Sequence, residues 1–286
     1  MIAHPSTSTP SVYRPENLRD ALEHISEGAE VLAGGTWIMR GEVRGDGYAA
    51  EYVLTSKLPE VNHLEVSEDQ LIIGAGVTHD RLASALKLDA RFKGLHTAAR
   101  KSANPAVRRM ATVGGNLCTT DFYAADLIPA LLALSATVTI ADPTGSRTMP
   151  LAEFMAARET LLTGHLLTHV TVHSPPGRTV HERLTLRKAG DYPIAIVNIH
   201  AAVDSGGIVS HAAVAIGSVE ETARCWPALA SKLIGKRLDA SHAFEATQSL
   251  ISDLTARDST EAAGWYRLQV LPALVRNAVR TLEQKE

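Results

Sequence analysis

The chain is poor in the residues that hold inorganic centres. It has two cysteines, Cys118 and Cys225, in 286 residues. An iron–sulfur cluster usually takes four thiolates at close spacing, and a structural zinc site takes four Cys or His ligands, so this chain cannot hold either alone. Its 12 histidines are scattered, without an H-x-x-x-H pair beside an acid, and no residue is expected to bind a metal. Two cysteines so far apart read as reduced thiols of a cytoplasmic protein. Long apolar runs are missing too: none approaches the roughly 20 residues that span a bilayer. The start, Met1-Ile2-Ala3-His4-Pro5-Ser6, lacks the basic and apolar regions of a signal peptide. With a net charge of −3 and no basic cluster beyond Arg108-Arg109, a nucleic-acid surface is not expected. There is no G-x-S-x-G elbow, and no residue stands out as a proton-transfer catalyst.

What is present is a pair of double-glycine turns, Ala33-Gly34-Gly35-Thr36 and Thr112-Val113-Gly114-Gly115-Asn116. Glycine permits positive φ and close approach of a ligand, so successive amide N–H groups can converge as an anion-binding nest. A single Gly-Gly is common in hairpins. Two of matching form suggest one extended anionic ligand, such as a dinucleotide diphosphate, held from two sides.

The pattern around these turns is α+β. Pro15 to Glu27 has helical apolar spacing and ends at Gly28. Ala29 to Ala33 reads as a strand, and Thr36 to Arg40 as the start of a helix whose N-terminus faces the first turn. Tyr52–Leu54, Leu71–Ala75, Thr137–Ile140 and Leu166–Val172 read as strands, Asp126–Ser135 as an apolar helix, and Thr78 as a helix cap. Ser174-Pro175-Pro176-Gly177-Arg178 is the strongest linker signal. Beyond it, His181–Lys188 and Ile208–Ile216 read as strands with an apolar segment, Ile194–Val203, between them; Asp204-Ser205-Gly206-Gly207 is a turn, and the chain after Glu220 reads as two or three helices. Ile72-Ile73-Gly74-Ala75-Gly76-Val77-Thr78 imitates a nicotinamide-dinucleotide fingerprint. The third glycine is replaced by His79, however, and no acidic residue at a strand end follows.

Four segments together resemble the FAD-binding medium subunit of the xanthine dehydrogenase and carbon monoxide dehydrogenase family of molybdenum hydroxylases: Val31–Thr36, Pro105–Asn116, Ala125–Leu134 and Arg183–Tyr192. The resemblance covers nearly the whole chain. It implies a vanillyl-alcohol-oxidase (PCMH)-type FAD-binding fold over residues 1–175, with subdomains of about 1–57 and 58–175, and a C-terminal α+β domain over 178–286. It further implies that Leu32, Ala33, Gly34, Gly35, Thr36, Trp37 and Ile38, with Thr112, Gly114, Gly115 and Asn116, bind the diphosphate and neighbouring parts of FAD. Asp126 is implied to bond the ribityl or ribose region, Leu167 to pack on the cofactor, and Tyr192 to cover the ring. Arg183 stands where family members commonly carry a lysine near the flavin. It keeps the charge but changes reach and donor geometry. Arg187 and Asp191 belong to the same segment and read either as flavin neighbours or as a surface ion pair. Cys118 reads as a small buried hydrophobe. The implied function is electron transfer. A large molybdenum-cofactor subunit would oxidise substrate, a small [2Fe-2S] subunit would relay electrons, and this chain's FAD would pass them on, in a dimer of heterotrimers. The alternative is a self-sufficient flavin oxidoreductase of the same fold, for which the sequence offers no acid or nucleophile.

Overall fold

The computed structural model describes residues 9–174, 176–186 and 192–284. The chain opens with strand β1 (Ser11–Tyr13), helix α1 (Leu18–Ser26) and β2 (Glu30–Leu32). Asn17 caps α1 by accepting from the Asp20 amide, and Gly28 turns the chain out of it at φ 108°, as a left-handed residue past a helix end does. Pro15 therefore lies ahead of the helix rather than in its first turn. A 3₁₀ turn (Ile38–Arg40) leads into α2 (Gly41–Arg44) and β3 (Glu51–Leu54). The first sheet has the order β1-β3-β2 and is parallel throughout.

Next come α3 (Pro59–Asn62), β4 (Leu64–Val66), β5 (Gln70–Gly74), α4 (His79–Ala85), α5 (Lys93–Lys101), α6 (Pro105–Arg108), α7 (Val113–Cys118) and α8 (Leu127–Ala133). They are followed by β6 (Thr137–Asp142), β7 (Gly145–Pro150), α9 (Leu151–Leu162) and β8 (Leu166–His173). The second sheet, β4-β5-β8-β6-β7, is antiparallel. This removes the dinucleotide fingerprint at Gly74: β5 pairs antiparallel with β8, and Gly76 donates to the Val61 carbonyl at 2.6 Å instead of opening a parallel crossover unit. Thr78 does cap α4, accepting from the Arg81 amide.

The remainder is β9 (Arg178–Thr185), β10 (Pro193–Val203), β11 (Val209–Gly217), β12 (Arg224–Cys225), α10 (Pro227–Leu233), α11 (Ala240–Ser249) and α12 (Gly264–Glu283). The third sheet runs β12-β11-β10-β9, antiparallel. The apolar segment 194–203 is thus its central strand, buried along nearly its whole length, because α12 packs on one face and α8 on the other. Asp204 closes the following turn by accepting from Gly206 and Ile208. Arg187 and Asp191 lie outside the described residues.

Two apolar cores result. One gathers residues from Ala21 to Val172 together with Ala215 of β11, and the other gathers residues from Val180 to Leu282. All seven residues of α8 are buried, as expected of a helix apolar on every side. It stands between the cores, with Pro129 against the close approach of Gly217 on β11. The second core also encloses a charge. Arg267 is fully buried and donates to the carbonyls of Ile194, Ser218 and Arg257 and to Ser259 Oγ. Burial, and then the charge of Arg257, pull its pKa down to about 10, so it remains a cation at neutral pH. Truncation would leave several buried carbonyls without a donor. Arg267→Met is expected to lower unfolding stability by on the order of 3 kcal/mol, read as a shift in denaturant midpoint. An unchanged midpoint would show that the cage is not structural.

Candidate functional site

The first glycine turn begins where β2 ends, with Thr55 donating to the Leu32 carbonyl. Gly34 must be glycine because any Cβ there would overlap the Met110 carbonyl oxygen. Gly35 adopts φ 68°, where a side chain is strained. Among the described residues, the amides of Gly34, Gly35, Thr36 and Trp37 donate to no protein acceptor. They line a cleft of about 840 Å³, near the upper end of the usual range for small-molecule sites (about 300–1,000 Å³). The helix expected after this turn starts at Ile38, as the 3₁₀ turn that continues into α2.

The second glycine turn differs. It is not an open turn but the first turn of α7, capped by Thr112, whose Oγ1 accepts from the Gly115 amide at 3.0 Å. The Val113 amide goes to the Val77 carbonyl, Gly114 to Ala75 and Asn116 to Thr112. Every amide from 113 to 116 already has a protein acceptor, whereas those of Gly34 to Trp37 have none among the described residues. Gly114 serves packing instead: a Cβ there would lie 2.8 Å from the Ala75 Cβ. Asn116 lines the cleft and also accepts from the Leu127 amide at 3.2 Å, which ties α7 to α8.

Of the expected residues, Ala33, Gly34, Gly35, Thr36, Trp37, Ile38, Thr112, Gly114, Gly115, Asn116, Leu167 and Tyr192 line this cleft. Leu32, Asp126 and Arg183 are not among its lining residues. Asp126 is 1% exposed. Its Oδ1 stands 3.3 Å from His181 Nε2 and 3.0 Å from Arg183 Nε, both on β9. Arg183 also donates to the Lys101 carbonyl, and His181 Nδ1 sits 3.1 Å from Asn198 Oδ1. This buried charge cluster joins α8 to the third sheet behind the cleft. Such a cluster is costly to break, because a lone buried charge is left behind.

An aromatic group from three parts of the chain closes one side. Trp37 and Phe122 have ring centroids 5.0 Å apart, and Phe122 meets Tyr192 edge-on at 5.4 Å. Arg44 stacks over Trp37 at 4.0 Å and pairs with Asp46. Arg40 donates to the Tyr192 hydroxyl at 2.7 Å. Gly28–Val31 and Leu162–Leu167 also line the cleft.

Sequence reasoning missed His79 and Ser102, both of which line the cleft. His79 Nδ1 lies 2.7 Å from Ser102 Oγ and Nε2 lies 3.3 Å from the Thr112 carbonyl. Burial pushes the imidazole pKa down to about 4, only partly offset by the Asp126 charge. Cys118 also lines the cleft; burial raises its thiol to about 12, which leaves it unreactive. Among the described residues, no group of three or more His, Cys, Asp or Glu is placed to hold a metal, and no helix is long and apolar enough to cross a membrane.

A cleft of this volume, with a run of unused amides and aromatic side chains at one side, suits a dinucleotide cofactor such as a flavin dinucleotide. The comparisons agree. Residues 6–175 match the family described as the FAD binding domain in molybdopterin dehydrogenase, and residues 183–282 match the CO dehydrogenase flavoprotein C-terminal domain. The chain therefore belongs to the molybdopterin-dehydrogenase FAD-binding subunit family and is an oxidoreductase subunit. It is 26% identical over 276 residues to the glyceraldehyde dehydrogenase medium chain of Sulfolobus acidocaldarius, covering 94% of this chain and 97% of the relative. To the carbon monoxide dehydrogenase medium chain of Afipia carboxidovorans it is 26% identical, covering 93% and 94%. The structure of quinoline 2-oxidoreductase from Pseudomonas putida 86 superposes with a TM-score of 0.87 at 25% identity, over 97% of this chain and 98% of that one. The free amides and the volume of the cleft fit FAD, whose diphosphate needs N–H donors and whose length needs an extended groove.

The neutral His79 generates a pH test. Its folded pKa of about 4 lies below the ordinary 6.5, so the unfolded chain takes up the proton first. Stability should fall as pH drops from 6.5 toward 4, by roughly 3 kcal/mol at most from this group. His169 and His200, also held low by burial, act in the same direction. Denaturant unfolding of His79→Asn should therefore show a shallower slope in that window than wild type. Equal slopes would contradict the assignment.

Proposed function

We propose that the chain is the FAD-carrying electron-transfer subunit of a heterotrimeric molybdenum hydroxylase. The observation that carries this reading is the run of free amides from Gly34 to Trp37 on the wall of the cleft. Diphosphate oxygens accept from these amides without a paired cation, in the manner of backbone nests. Thr36 and Ile38 continue that wall, Ala33 and Leu32 hold its backbone, and Gly114 and Gly115 let α7 stand close behind. Thr112 and Asn116 set α7 against α8, and Leu167 packs on the cofactor. Tyr192, tethered by Arg40, meets the flavin end, and Asp126 with Arg183 acts from behind the wall. In this reading residues 1–175 form the FAD-binding region, with a break near 57, and 178–286 form the second domain.

FAD, when bound, exchanges electrons singly or in pairs. The work of this chain is to bind it, orient it and exclude water. A large molybdenum-cofactor subunit and a small [2Fe-2S] subunit carry the remaining centres, in a dimer of heterotrimers. The "medium chain" names of the relatives support such partners, as do only two cysteines here, both free. Those free thiols also support a cytoplasmic setting.

The test is the native assembly, purified and examined by absorption spectrum and metal analysis. Flavin, molybdenum and iron together are expected; flavin alone in an intact assembly would refute the reading. Within that assembly, Gly35→Val should weaken FAD retention by about 100-fold, through loss of charge-assisted amide bonds, while the metals remain. Gly235→Ala, also at positive φ (77°) but with open space around its Cβ position, should keep its flavin. Full FAD content in Gly35→Val would refute the nest.

A further inference from the structure

We infer that Ser102 is a cofactor-binding residue: its hydroxyl oxygen accepts a hydrogen bond from an N–H or O–H of the flavin end of FAD, while its own proton is held inside the protein. The inference rests on the FAD reading of the cleft and adds a contact that neither glycine turn supplies.

Ser102 is the residue that ends α5. Its Oγ lies 3.0 Å from the Ala99 carbonyl oxygen and 2.7 Å from His79 Nδ1. The Ala99 carbonyl can only accept. His79, with its pKa near 4, carries one ring proton at neutral pH. The Thr112 carbonyl beside Nε2 can only accept, so that proton belongs on Nε2 and Nδ1 is a second acceptor for Ser102. The other tautomer changes little: Nδ1–H then donates to Oγ, and the hydroxyl proton turns to Ala99. In each arrangement the proton of Ser102 points inward. What the hydroxyl presents to the cleft is a lone pair. A diphosphate oxygen, itself an acceptor, finds no partner there, whereas an imide N–H or a ribityl O–H does.

The location selects the flavin end. Lys101, the preceding residue, receives Arg183 from β9 on its carbonyl, so Ser102 sits where the cleft meets the third sheet. It is also remote in the chain from the free amides of the first turn. Ser102 is partly exposed and lines the cleft, while His79 behind it is 3% exposed, which fixes the hydroxyl from one side. A serine serving merely to end α5 would need the Ala99 bond and no buried imidazole.

The experiment is a titration of the deflavinated native assembly, wild type against Ser102→Ala and Ser102→Thr, followed by flavin fluorescence. Three ligands are used: FAD, 3-methyl-FAD (imide N–H blocked) and an FAD analogue whose ribityl chain lacks its hydroxyls. Ser102→Ala should bind FAD about 3- to 10-fold more weakly, and Ser102→Thr within about twofold of wild type. With at least one analogue the difference between wild type and Ser102→Ala should vanish, and that analogue identifies the donor as imide or ribityl. Equal FAD affinity for wild type and Ser102→Ala would overturn the proposal. An equal loss with all three flavins would also overturn it, since the change would then act through the fold. If the FAD reading itself fails, wild type binds none of the three, an outcome distinct from either.

Discussion

The cleft exists because the backbone of Gly34 lies directly against the Met110 carbonyl. No side chain fits between them, so the chain leaving β2 and the chain entering α7 are held at backbone contact. Everything around the site follows from this junction. The residues that follow, Gly34 to Trp37, line the groove with amides that have no protein acceptor among the described residues. The junction also seats α7, whose own packing on Ala75 depends on a second missing side chain at Gly114. The two double-glycine segments are therefore two faces of one joint, with separate duties: one offers donors, and the other, with its donors spent on Ala75, Val77 and Thr112, keeps the wall rigid.

Electrostatics fix the third side. Asp126, at the start of α8, faces His181 and Arg183 across the junction with the third sheet. Because α8 is buried between two apolar cores, the Asp126 carboxylate is shut off from water and relies on these partners, and the cluster ties β9 to the start of α8. Tyr192 follows from β9 and β10 being joined there and reaches back to Arg40 on the first part of the chain. The cleft is thus lined by residues of the first two sheets and their connecting segments, with Tyr192, just ahead of β10, as the contribution beside the third.

Much of this was legible in the sequence, and the physical reason is range. Gly35 with its left-handed φ, Thr78 and Asp204 act on backbone within a few residues, so their roles follow from local rules, whereas the contact of Gly34 with Met110 does not. The apolar segments gave most strands of the second and third sheets. Strand β7 escaped because in Gly145–Pro150 only Met149 is buried, which leaves no alternation to see. The helical nature of Gly114-Gly115 was readable from Thr112, a good cap three residues before Gly115, but glycine content pointed to a turn. His79, Ser102 and the partners of Asp126 could not be found locally. Ser102 meets His79 across 23 positions, and Asp126 meets residues of another sheet. Such pairings depend on tertiary packing, which periodicity does not encode.

In the proposed reading, one glycine turn alone holds the cofactor's diphosphate. The most direct measurement is a high-resolution structure of the FAD-loaded native assembly. Diphosphate oxygens are expected at hydrogen-bond distance (about 2.7–3.2 Å) from at least two of the amides between Gly34 and Trp37, with the Gly114 amide still bonded to the Ala75 carbonyl. A diphosphate bound instead by the amides of Val113 to Asn116, with those of Gly34 to Trp37 facing solvent, would contradict it.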